Sequence, residues 1–595
     1  MRITFLMLLL ISLTTISPIF HTEKKIAPLT EKRLSQLAPD EKELVWIYLS
    51  DKNENAGVNK AAVKKYLSSK TLKRRAKVRS SSQLVDEKDI PVSERYIRTI
   101  EDQGIVIRNR SKWFNAVTAW VTRAEADKLT SLGFVTRIEL VARFPKKNDE
   151  NPIDLTESGS LFNKTTVSDF DSAFYGYAYA QLKQIKVPQV HQLGFFGQGV
   201  TIAVFDNGFR LMTHEAFESM HIIDTYDFVD KKDNVAPINP NAGFGTHGVN
   251  TLSVIGAFKK GKMTGPAYKS DYILARTEND SSETPFEEDN WIAAMEWAEG
   301  LGADIISSSL GYINFDSSGA LSYDKSVYNW AWMNGDSTRI TKAANIGVGM
   351  GLVIVNSAGN EGFNSTHNTL SAPADGDSVI AAGAVDASGS RVGFSSVGPT
   401  TLGKIKPDVM AMGYAVSMAS AISTTGYVLN SGTSFSCPLT AGVCALILSA
   451  HPGLTPAQVR WALKMTASRS GNPDNSYGYG IINALDAVNY FGITGIPDTT
   501  STIEEFALYQ NYPNPFNSDT RIEFDIFKPG NVTITVYNLL GQKIRTLFNG
   551  YRPAGPYYAE WDGRNSTGSA VSSGIYFYRL EAKNYSKTKK MLLVK

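Results

Sequence analysis

The chain reads VTIAVFDNG at residues 200–208, and this stretch decides the fold that we expect for its middle part. An apolar run that ends at a Gly turn is typical of a strand buried on both faces of a parallel sheet. Similar runs alternate with amphipathic helical segments, and the clearest are residues 271–275, 304–308, 353–356 and 379–384. The alternation predicts an α/β fold over residues 178–492, with a mostly parallel sheet and helices on both faces.

Two polar residues stand where such a fold gathers its ligands, at the carboxyl ends of strands. Asp206 ends the first strand, although alone it could equally be a turn or N-cap aspartate. His247 lies in GFGTHGV, residues 243–249, at the start of an apolar helical segment. A histidine there can act as a general base near neutral pH, but alone it could be a capping or surface residue.

Two further motifs supply a hydroxyl and an amide. Ser434 lies in NSGTSFSCP, residues 430–438, and leads into an apolar helix. We expect Ser434 at the mouth of that helix, where amide dipoles favour negative charge, and Pro438 in its first turn. The alternative is a serine that only caps the helix. Asn360 follows a strand in VIVNSAGNEG, residues 353–362, and can donate to an oxyanion; alone it would be a left-handed turn asparagine.

Taken together, the four motifs resemble those of the subtilisin-like serine peptidases, and the resemblance covers roughly residues 178–490. It implies that Ser434 is the nucleophile, His247 the general base and acid, and Asp206 the carboxylate that orients the imidazole. Asn360 and the Ser434 amide would hold the oxyanion. The implied function is a secreted serine endopeptidase that forms an acyl-enzyme. The chemistry would need no cofactor. Structural calcium is common in the family, but no contiguous Asp-rich loop marks a site here.

The segment ISSSLG, residues 306–311, resembles the substrate-binding edge of the family. Ser309, Leu310 and Gly311 would pair with an extended peptide, and Gly311 would leave room for the P1 side chain. The alternative is an ordinary end of a core strand. Two departures from the family pattern stand out. Asn207 follows Asp206 where Ser or Thr is usual, and residues 314–345 form a longer region rich in Tyr, Trp and Ser, a candidate for shaping substrate entry.

The N-terminal part reads as a leader and a propeptide. Residues 1–22 begin with Met-Arg and an apolar run typical of a signal peptide; the run is shorter than the ~20 residues of a membrane anchor, which is the alternative. Residues 23–150 mix strands and helices, predict a small α+β unit, and resemble an inhibitory propeptide rather than an unrelated adaptor domain. Within them, KYLSSKTLKRR at 65–75 predicts a solvent-exposed basic helix. Residues 151–177 predict a linker where the precursor is cut.

The C-terminal part predicts a separate module. After a linker at 493–504, residues 505–595 become β-rich, with strands expected at 520–526, 531–537 and 575–580, and predict a β-sandwich. The motif YQNYPNPFN at 509–517 and the end KKMLLVK resemble the C-terminal sorting domain of type IX secretion systems. This implies passage through the periplasm to the cell surface or medium. The alternative is a carbohydrate-binding or cell-wall sandwich.

The composition limits the classes of binding partner that we expect. Sixty basic and 58 acidic residues leave a net charge of +2, so no chain-wide field favours nucleic acid or an anionic membrane. Cys437 and Cys444 would lie about 10 Å apart along one helix, beyond disulfide reach. We expect protein or peptide substrates, the secretion machinery as a partner, a monomer, and no membrane span in the mature protein. The rival functions are a catalytically silent peptide-binding protein and an esterase, but GTSFS lacks the second Gly of an esterase elbow.

Overall fold

The computed structural model describes residues 24–52, 63–64, 67–141, 153–154, 171–237, 245–278, 287–312, 329–492, 506–508, 510–511, 514–526, 530–552, 555–582 and 585–594. The predicted signal peptide, the 493–504 linker and most of the 151–177 linker lie outside these residues. By internal contacts the chain divides into two compact units. The first is Met1–Glu54 with Val92–Arg110 and Phe114–Leu140, and the second is Asn55–Pro91 with Ser111–Trp113 and Val141–Lys595.

The N-terminal quarter of the chain mixes helices with one sheet, as predicted. Its helices are α1 (Pro28–Leu34), α2 (Ser69–Arg75), α3 (Glu94–Glu101) and α4 (Arg123–Thr130). Its strands are β1 (Glu43–Leu49), β2 (Ile107–Ser111), β3 (Ala116–Val121) and β4 (Val135–Leu140), in the order β2-β3-β1-β4. Strand β1 pairs antiparallel with both β3 and β4, and the apolar faces of α3 and α4 share its core. This is the predicted α+β unit.

The basic stretch at 65–75 departs from its prediction. Most of it forms α2, which begins where the Ser68 side chain accepts a hydrogen bond from the Thr71 amide. Arg74 and Arg75 are only 1% and 0% exposed, so the expectation of a solvent-exposed helix is wrong for its last two residues. The reason is that carboxylates and helix-end carbonyls surround both guanidinium groups, a pairing across more than 200 residues that composition could not reveal.

The middle of the chain contains short and long helices around a large sheet. The helices are α5 (Ser172–Tyr175), α6 (Tyr179–Gln184), α7 (Val187–Gln192), α8 (Thr246–Gly256), α9 (Glu287–Leu301), α10 (Arg339–Gly349), α11 (Thr433–Ala450), α12 (Pro456–Thr466) and α13 (Ala484–Asn489). The strands are β5 (Ile153–Asp154), β6 (Thr201–Asp206), β7 (His221–Asp227), β8 (Phe258–Lys259), β9 (Met263–Thr264), β10 (Asp271–Arg276), β11 (Ile305–Ser308), β12 (Val353–Ser357), β13 (Ile380–Val385), β14 (Val409–Met412), β15 (Val416–Ala419) and β16 (Tyr427–Asn430). The five strands predicted from sequence are all present, and their ends differ from the prediction by at most one residue.

Seven of these strands form one parallel sheet in the order β14-β13-β12-β11-β6-β10-β7. Strand β6 is buried along its whole length, which explains its continuous apolar sequence. Phe205 on β6 stands opposite Ser308 on β11, which stands opposite Asn356 on β12. Because the strands are parallel, their carboxyl ends meet at one edge. The predicted α/β fold is confirmed, and this edge carries the residues singled out above.

Helix α11 forms the centre of the core. It packs on β11, β12, β13 and β14, and its only residues that are not buried are Ser434, Ser449 and Ala450. Among the described helices, α11 is long and apolar enough to cross a membrane, yet 83% of it lies inside the protein. Its apolar surface is therefore used for packing. Cys437 and Cys444 are buried and unpaired on this helix, as predicted.

The C-terminal part consists of two sheets with a common core. Its strands are β17 (Phe506–Leu508), β18 (Thr520–Ile526), β19 (Gly530–Tyr537), β20 (Lys543–Arg552), β21 (Gly555–Trp561), β22 (Gly574–Ala582) and β23 (Tyr585–Leu593). They are ordered β17-β18-β21 in one sheet and β20-β19-β22-β23 in the other. Ile522 and Trp561 from the first sheet join Ile534, Tyr578 and Met591 from the second in one apolar cluster. The β-sandwich predicted from the β-rich segments is confirmed.

Candidate active site

Asp206 and His247 form a buried pair at the carboxyl edge of the sheet. Asp206 is the last residue of β6 and is fully buried. Its Oδ1 accepts from Nδ1 of His247 at 2.7 Å and from the Asn207 amide at 2.8 Å. A carboxylate oxygen accepts this bond, so when the imidazole is neutral its proton belongs on Nδ1, which leaves Nε2 as an acceptor. His247 is neither a capping nor a surface residue.

A close approach of α8 to the turn after β6 makes this pair possible. His247 is the second residue of α8, whose N-cap is Gly245 in the left-handed region with φ 66°. A Cβ on Gly248 would lie 2.1 Å from the carbonyl oxygen of Gly208, so only glycine fits there. The Gly248 amide donates to Oδ1 of Asn207 at 3.1 Å. Asn207, the departure from the family pattern, therefore ties the turn to the helix.

Thr251 is a third partner of Asp206 that sequence reasoning missed. Its hydroxyl donates to Oδ2 of Asp206 at 2.8 Å, and the residue is 1% exposed. It stands four residues after His247 on α8, so both side chains face the same carboxylate. That spacing was the available signal. Both oxygens of Asp206 are thus held, which fixes the carboxylate against the imidazole.

We expect Thr251→Val to lower kcat/KM about 10-fold, because a buried hydrogen bond to a charged group is lost while the side-chain shape is kept. Thr251→Ser keeps the hydroxyl donor, so its kcat/KM should remain within about 2-fold of the value for the unmodified chain. Steady-state kinetics with one peptide substrate would compare the two. Equal rates for the valine and serine variants would contradict a positioning role for the hydroxyl.

Ser434 stands at the mouth of α11, as expected, but its surroundings differ from the prediction in one respect. The N-cap is Gly432, and the Ser434 hydroxyl donates to the carbonyl of Ser309 at 3.3 Å, so Ser434 is not the capping residue. Pro438 is the sixth residue of the helix, not part of its first turn. Because proline has no N–H, it cannot bond the Ser434 carbonyl, which accepts instead from Oγ of Ser309 at 2.8 Å.

The side-chain amide of Asn360 points its nitrogen toward the same place. Its Oδ1 accepts from the amide of Thr433 at 3.0 Å and from the Thr433 hydroxyl at 2.8 Å, which leaves Nδ2 to donate. A Cβ built on Gly432 would lie 3.6 Å from this Nδ2 and 3.7 Å from Cβ of Ser434. The left-handed position belongs to Gly359, with φ 112°, and Asn360 itself has no positive φ. The reading of Asn360 as a left-handed turn asparagine is therefore wrong.

The predicted substrate-binding residues follow β11 at this edge. Ser309 bonds the backbone and hydroxyl of Ser434, as described, and the Leu310 carbonyl accepts from Nδ2 of Asn356 at 2.8 Å. A Cβ on Gly311 would lie 2.3 Å from Oγ of Ser371, and one on Gly359 would lie 3.1 Å from the same oxygen. Gly311 and Gly359 thus face one hydroxyl. Residues 313–328, which include nearly half of the region 314–345 noted above, lie outside the described residues.

The described residues contain no group of three or more His, Cys, Asp or Glu side chains that could hold a metal ion. What the edge does contain is an imidazole held by a carboxylate, a serine at a helix N-terminus and a side-chain amide beside it. These are the parts of a serine hydrolase that works by nucleophilic attack and oxyanion stabilisation.

Comparisons with known proteins agree with this class. Residues 197–480 match the Subtilase family, residues 44–154 the Peptidase S8 propeptide domain of Bacteroidota, and residues 510–595 the Secretion system C-terminal sorting domain. Subtilisin NAT from Bacillus subtilis subsp. natto is 32% identical over 317 residues, which cover 52% of this chain and 72% of that protein. Serine protease AprX from Bacillus subtilis (strain 168) is 30% identical, over 49% of this chain and 66% of its own.

The chain belongs to the subtilase family of serine peptidases. It carries a propeptide before the peptidase domain and a secretion sorting domain after it, and such a sorting domain directs a protein to the cell surface or the medium.

Proposed function

We propose that this subtilase is an endopeptidase whose catalytic triad is Asp206, His247 and Ser434, with Asn360 as oxyanion donor, and that it cuts its own precursor. The observation that supports this most directly is the 2.7 Å bond between Asp206 and Nδ1 of His247. It fixes the tautomer in which Nε2 can take a proton. His247 can act as a general base only in that tautomer, because Nε2 must be free to take the proton.

The reaction follows from these contacts. The Ser434 hydroxyl leaves the Ser309 carbonyl, gives its proton to Nε2 of His247, and its oxygen bonds the carbonyl carbon of the scissile peptide. Asp206 stabilises the imidazolium that forms, while Nδ2 of Asn360 and the Ser434 amide stabilise the oxyanion. The C–N bond then breaks as Nε2 gives the proton to the leaving amine. Water, activated by the same imidazole, releases the acyl group. No step requires a cofactor.

A fluorophosphonate probe tests the proposed nucleophile, because it labels only an activated serine. We expect one label on the processed protein, located at Ser434 by mass spectrometry. Digestion of a peptide library should then give cuts within chains and reveal the P1 preference. A folded, processed protein that is never labelled would favour the silent peptide-binding alternative, whereas labelling with cleavage of esters alone would favour an esterase.

Self-processing gains support from strand β5. This short strand lies in the predicted processing region, and it pairs antiparallel with β16, at Ile153 with Leu429 and Asp154 with Val428. Strand β16 ends at Asn430, four residues before Ser434. The chain that precedes the peptidase domain therefore runs beside the strand that leads into the nucleophile. We propose that the precursor is cut within residues 151–177, and N-terminal sequencing of the secreted protein would locate the bond.

We propose that Gly311 and Ser371 set the size of the P1 pocket. Gly311→Ala should lower kcat/KM about 10-fold for peptides with Phe or Leu at P1. The added methyl group would take up roughly one carbon's volume of the packed pocket that a large P1 side chain fills. Peptides with Gly or Ala at P1 should lose less. Gly453→Ala is a suitable control, since a Cβ there meets no atom within 4 Å. A uniform loss across all P1 residues would argue against a role in specificity.

We also propose that export follows the type IX route through the periplasm and that the tail is then removed. A chain ending at residue 500 should accumulate inside a type IX-competent host, whereas the full chain should reach the surface or medium. Full-length Ser434→Ala is the matched control, because it keeps the tail and separates export from self-processing. Western blots of the cell fractions would show where each chain accumulates. Efficient export of the shortened chain would contradict the proposal.

A further inference from the structure

Asn356 is a buried asparagine on β12 that the proposed reaction does not use. It is 0% exposed and stands directly opposite Ser308 of β11. Side chains alternate along a strand, so Val355 faces the core that β12 shares with α11, and Asn356 faces the opposite layer. Trp291 of α9 reaches that layer, where its Nε1 donates to the Ser308 hydroxyl at 3.0 Å. Asn356 therefore lies on the side of the sheet away from the nucleophile helix.

The side-chain amide of Asn356 bonds one backbone carbonyl from each of two segments that meet at the cleft. Its Nδ2 donates to the Leu310 carbonyl at 2.8 Å and to the Ser357 carbonyl at 2.9 Å. Strand β11 ends at Ser308, so the ladder of the sheet does not reach the Leu310 carbonyl. Ser357 ends β12, and the chain then leads to Asn360. One amide thus joins the predicted substrate-binding segment to the loop of the proposed oxyanion donor.

The same two segments also share a second contact. Gly311 comes one residue after Leu310, and Gly359 comes two residues after Ser357. Both glycines face the hydroxyl of Ser371, since a Cβ on either would lie within 3.1 Å of that oxygen. Ser371 therefore limits how closely the segments approach, while the Asn356 amide holds them together. Their spacing is fixed from both directions.

The stability of the core does not by itself explain an asparagine at this position. Oδ1 of Asn356 is buried and accepts no hydrogen bond from any residue that the structure describes. A buried acceptor without a donor lowers stability, and an apolar side chain of similar size avoids that penalty. The three residues before Asn356 on β12 are buried valine and isoleucine. The two carbonyls that Nδ2 holds at the cleft supply the missing reason.

We propose that Asn356 is a positioning residue of the peptidase, whose amide fixes residues 309–311 against residues 357–360. The P1 residue of a substrate lies against the first segment, and its carbonyl oxygen is stabilised from the second. The two segments must therefore keep one spacing while the oxyanion forms, and an error of about 1 Å in such a position can cost roughly 100-fold in rate. Asn356 acts only through the two carbonyls. The inference deepens the proposed endopeptidase function and rests on it.

The test measures Asn356→Asp in the processed enzyme with a peptide that has Phe at P1. Active sites are first titrated with a fluorophosphonate, and kcat is expressed per active site, so that unfolded protein does not contribute. The substitution keeps the shape of the side chain but removes the amide donor. We expect kcat to fall about 10-fold, since the oxyanion donor shifts, and KM to rise about 3-fold, since the P1 wall shifts.

The pH profile of the same variant gives a second readout. Burial beside two carbonyl oxygens disfavours the ionised form of the new carboxyl group, so its pKa should lie above the ordinary value for an aspartate. Below that pKa the neutral group can donate its O–H to one carbonyl, and above it the group can only accept. The ratio of variant to unmodified kcat/KM should therefore fall about 10-fold as the pH rises from about 6 to about 9.

Asn345→Asp is the matched control for both readouts. Asn345 lies on α10, its Nδ2 donates to the Gly335 carbonyl at 2.8 Å, and its Oδ1 likewise accepts from no described residue. The same chemical change there should leave kcat and KM within about 2-fold and the ratio constant with pH. If Asn356→Asp does not fold, Asn356→Ala removes the donor without adding a charge, and it should lower kcat/KM about 10-fold.

Two results would overturn the proposal. One is unchanged kcat and KM per active site in the Asn356 variants, even with a lower melting temperature, because that pattern belongs to a residue that only supports the core. The other is an equal loss in Asn345→Asp. Failure of the unmodified enzyme to react with the fluorophosphonate at Ser434 would instead refute the proposed peptidase function itself, before any variant is compared.

Discussion

A chain carrying Ser434→Ala should remain at precursor length after expression in a protease-free host, with the propeptide still attached. Its peptide hydrolysis should fall about 10⁶-fold, the loss known for the corresponding change in subtilisin, a relative of this chain. The physical reason is that alanine has no hydroxyl to give a proton to His247, so no acyl-enzyme can form. Gel electrophoresis of the purified chain and assays with a peptide substrate would measure both effects.

Ser449→Ala is the matched control for this experiment. Ser449 lies at the other end of α11, and its hydroxyl donates to the Gln198 carbonyl at 3.1 Å. That variant should process and cut peptides like the unmodified chain. Normal processing of the Ser434→Ala chain in the same host would refute self-cleavage, while a loss in both variants would show that the change acts on the helix and not on the chemistry.

Asn360→Ala should lower kcat about 10²- to 10³-fold and leave KM nearly unchanged, as loss of the side-chain oxyanion donor does in subtilisin. The donor is used only when the carbonyl oxygen becomes an oxyanion, so substrate binding should be spared. Steady-state kinetics on the processed enzyme would separate the two constants.

Asn364→Ala provides the comparison, since Asn364 is the same residue type in the same loop and its side-chain oxygen accepts from the amide and the hydroxyl of Thr366, both at 2.8 Å. We expect it to leave kcat within about 2-fold, the usual range for a surface substitution. A rise in KM with unchanged kcat for Asn360→Ala would instead assign Asn360 to substrate binding.

Local sequence was enough to predict five strands of the main sheet, whereas the candidate triad was predicted from the resemblance of the four motifs taken together. Each of Asp206, His247 and Ser434 stands beside a glycine motif at a strand end or helix start, and a parallel sheet brings such ends to one edge. Five of the seven strands in the main sheet were marked by continuous apolar runs, because both faces of the sheet are covered.

The contacts between distant segments could not be predicted from the sequence. The burial of Arg74 and Arg75 depends on Glu299, more than 200 residues away, and nothing in KYLSSKTLKRR distinguishes a buried arginine from a solvated one. The bond from Ser309 to the Ser434 carbonyl is another case. It depends on where Pro438 falls in the helix, and that position was misjudged because helix starts are poorly defined by sequence alone.

Thr433 links two groups that reach the site from different parts of the sheet. Its amide and hydroxyl both hold Asn360, and the next residue is Ser434. The spacing between Ser434 and the Asn360 amide is therefore set by one intervening residue, Thr433, and not by the longer loops around it. Thermal motion should carry both groups together, so the distance between Ser434 and Nδ2 of Asn360 should change little while the surrounding loops move.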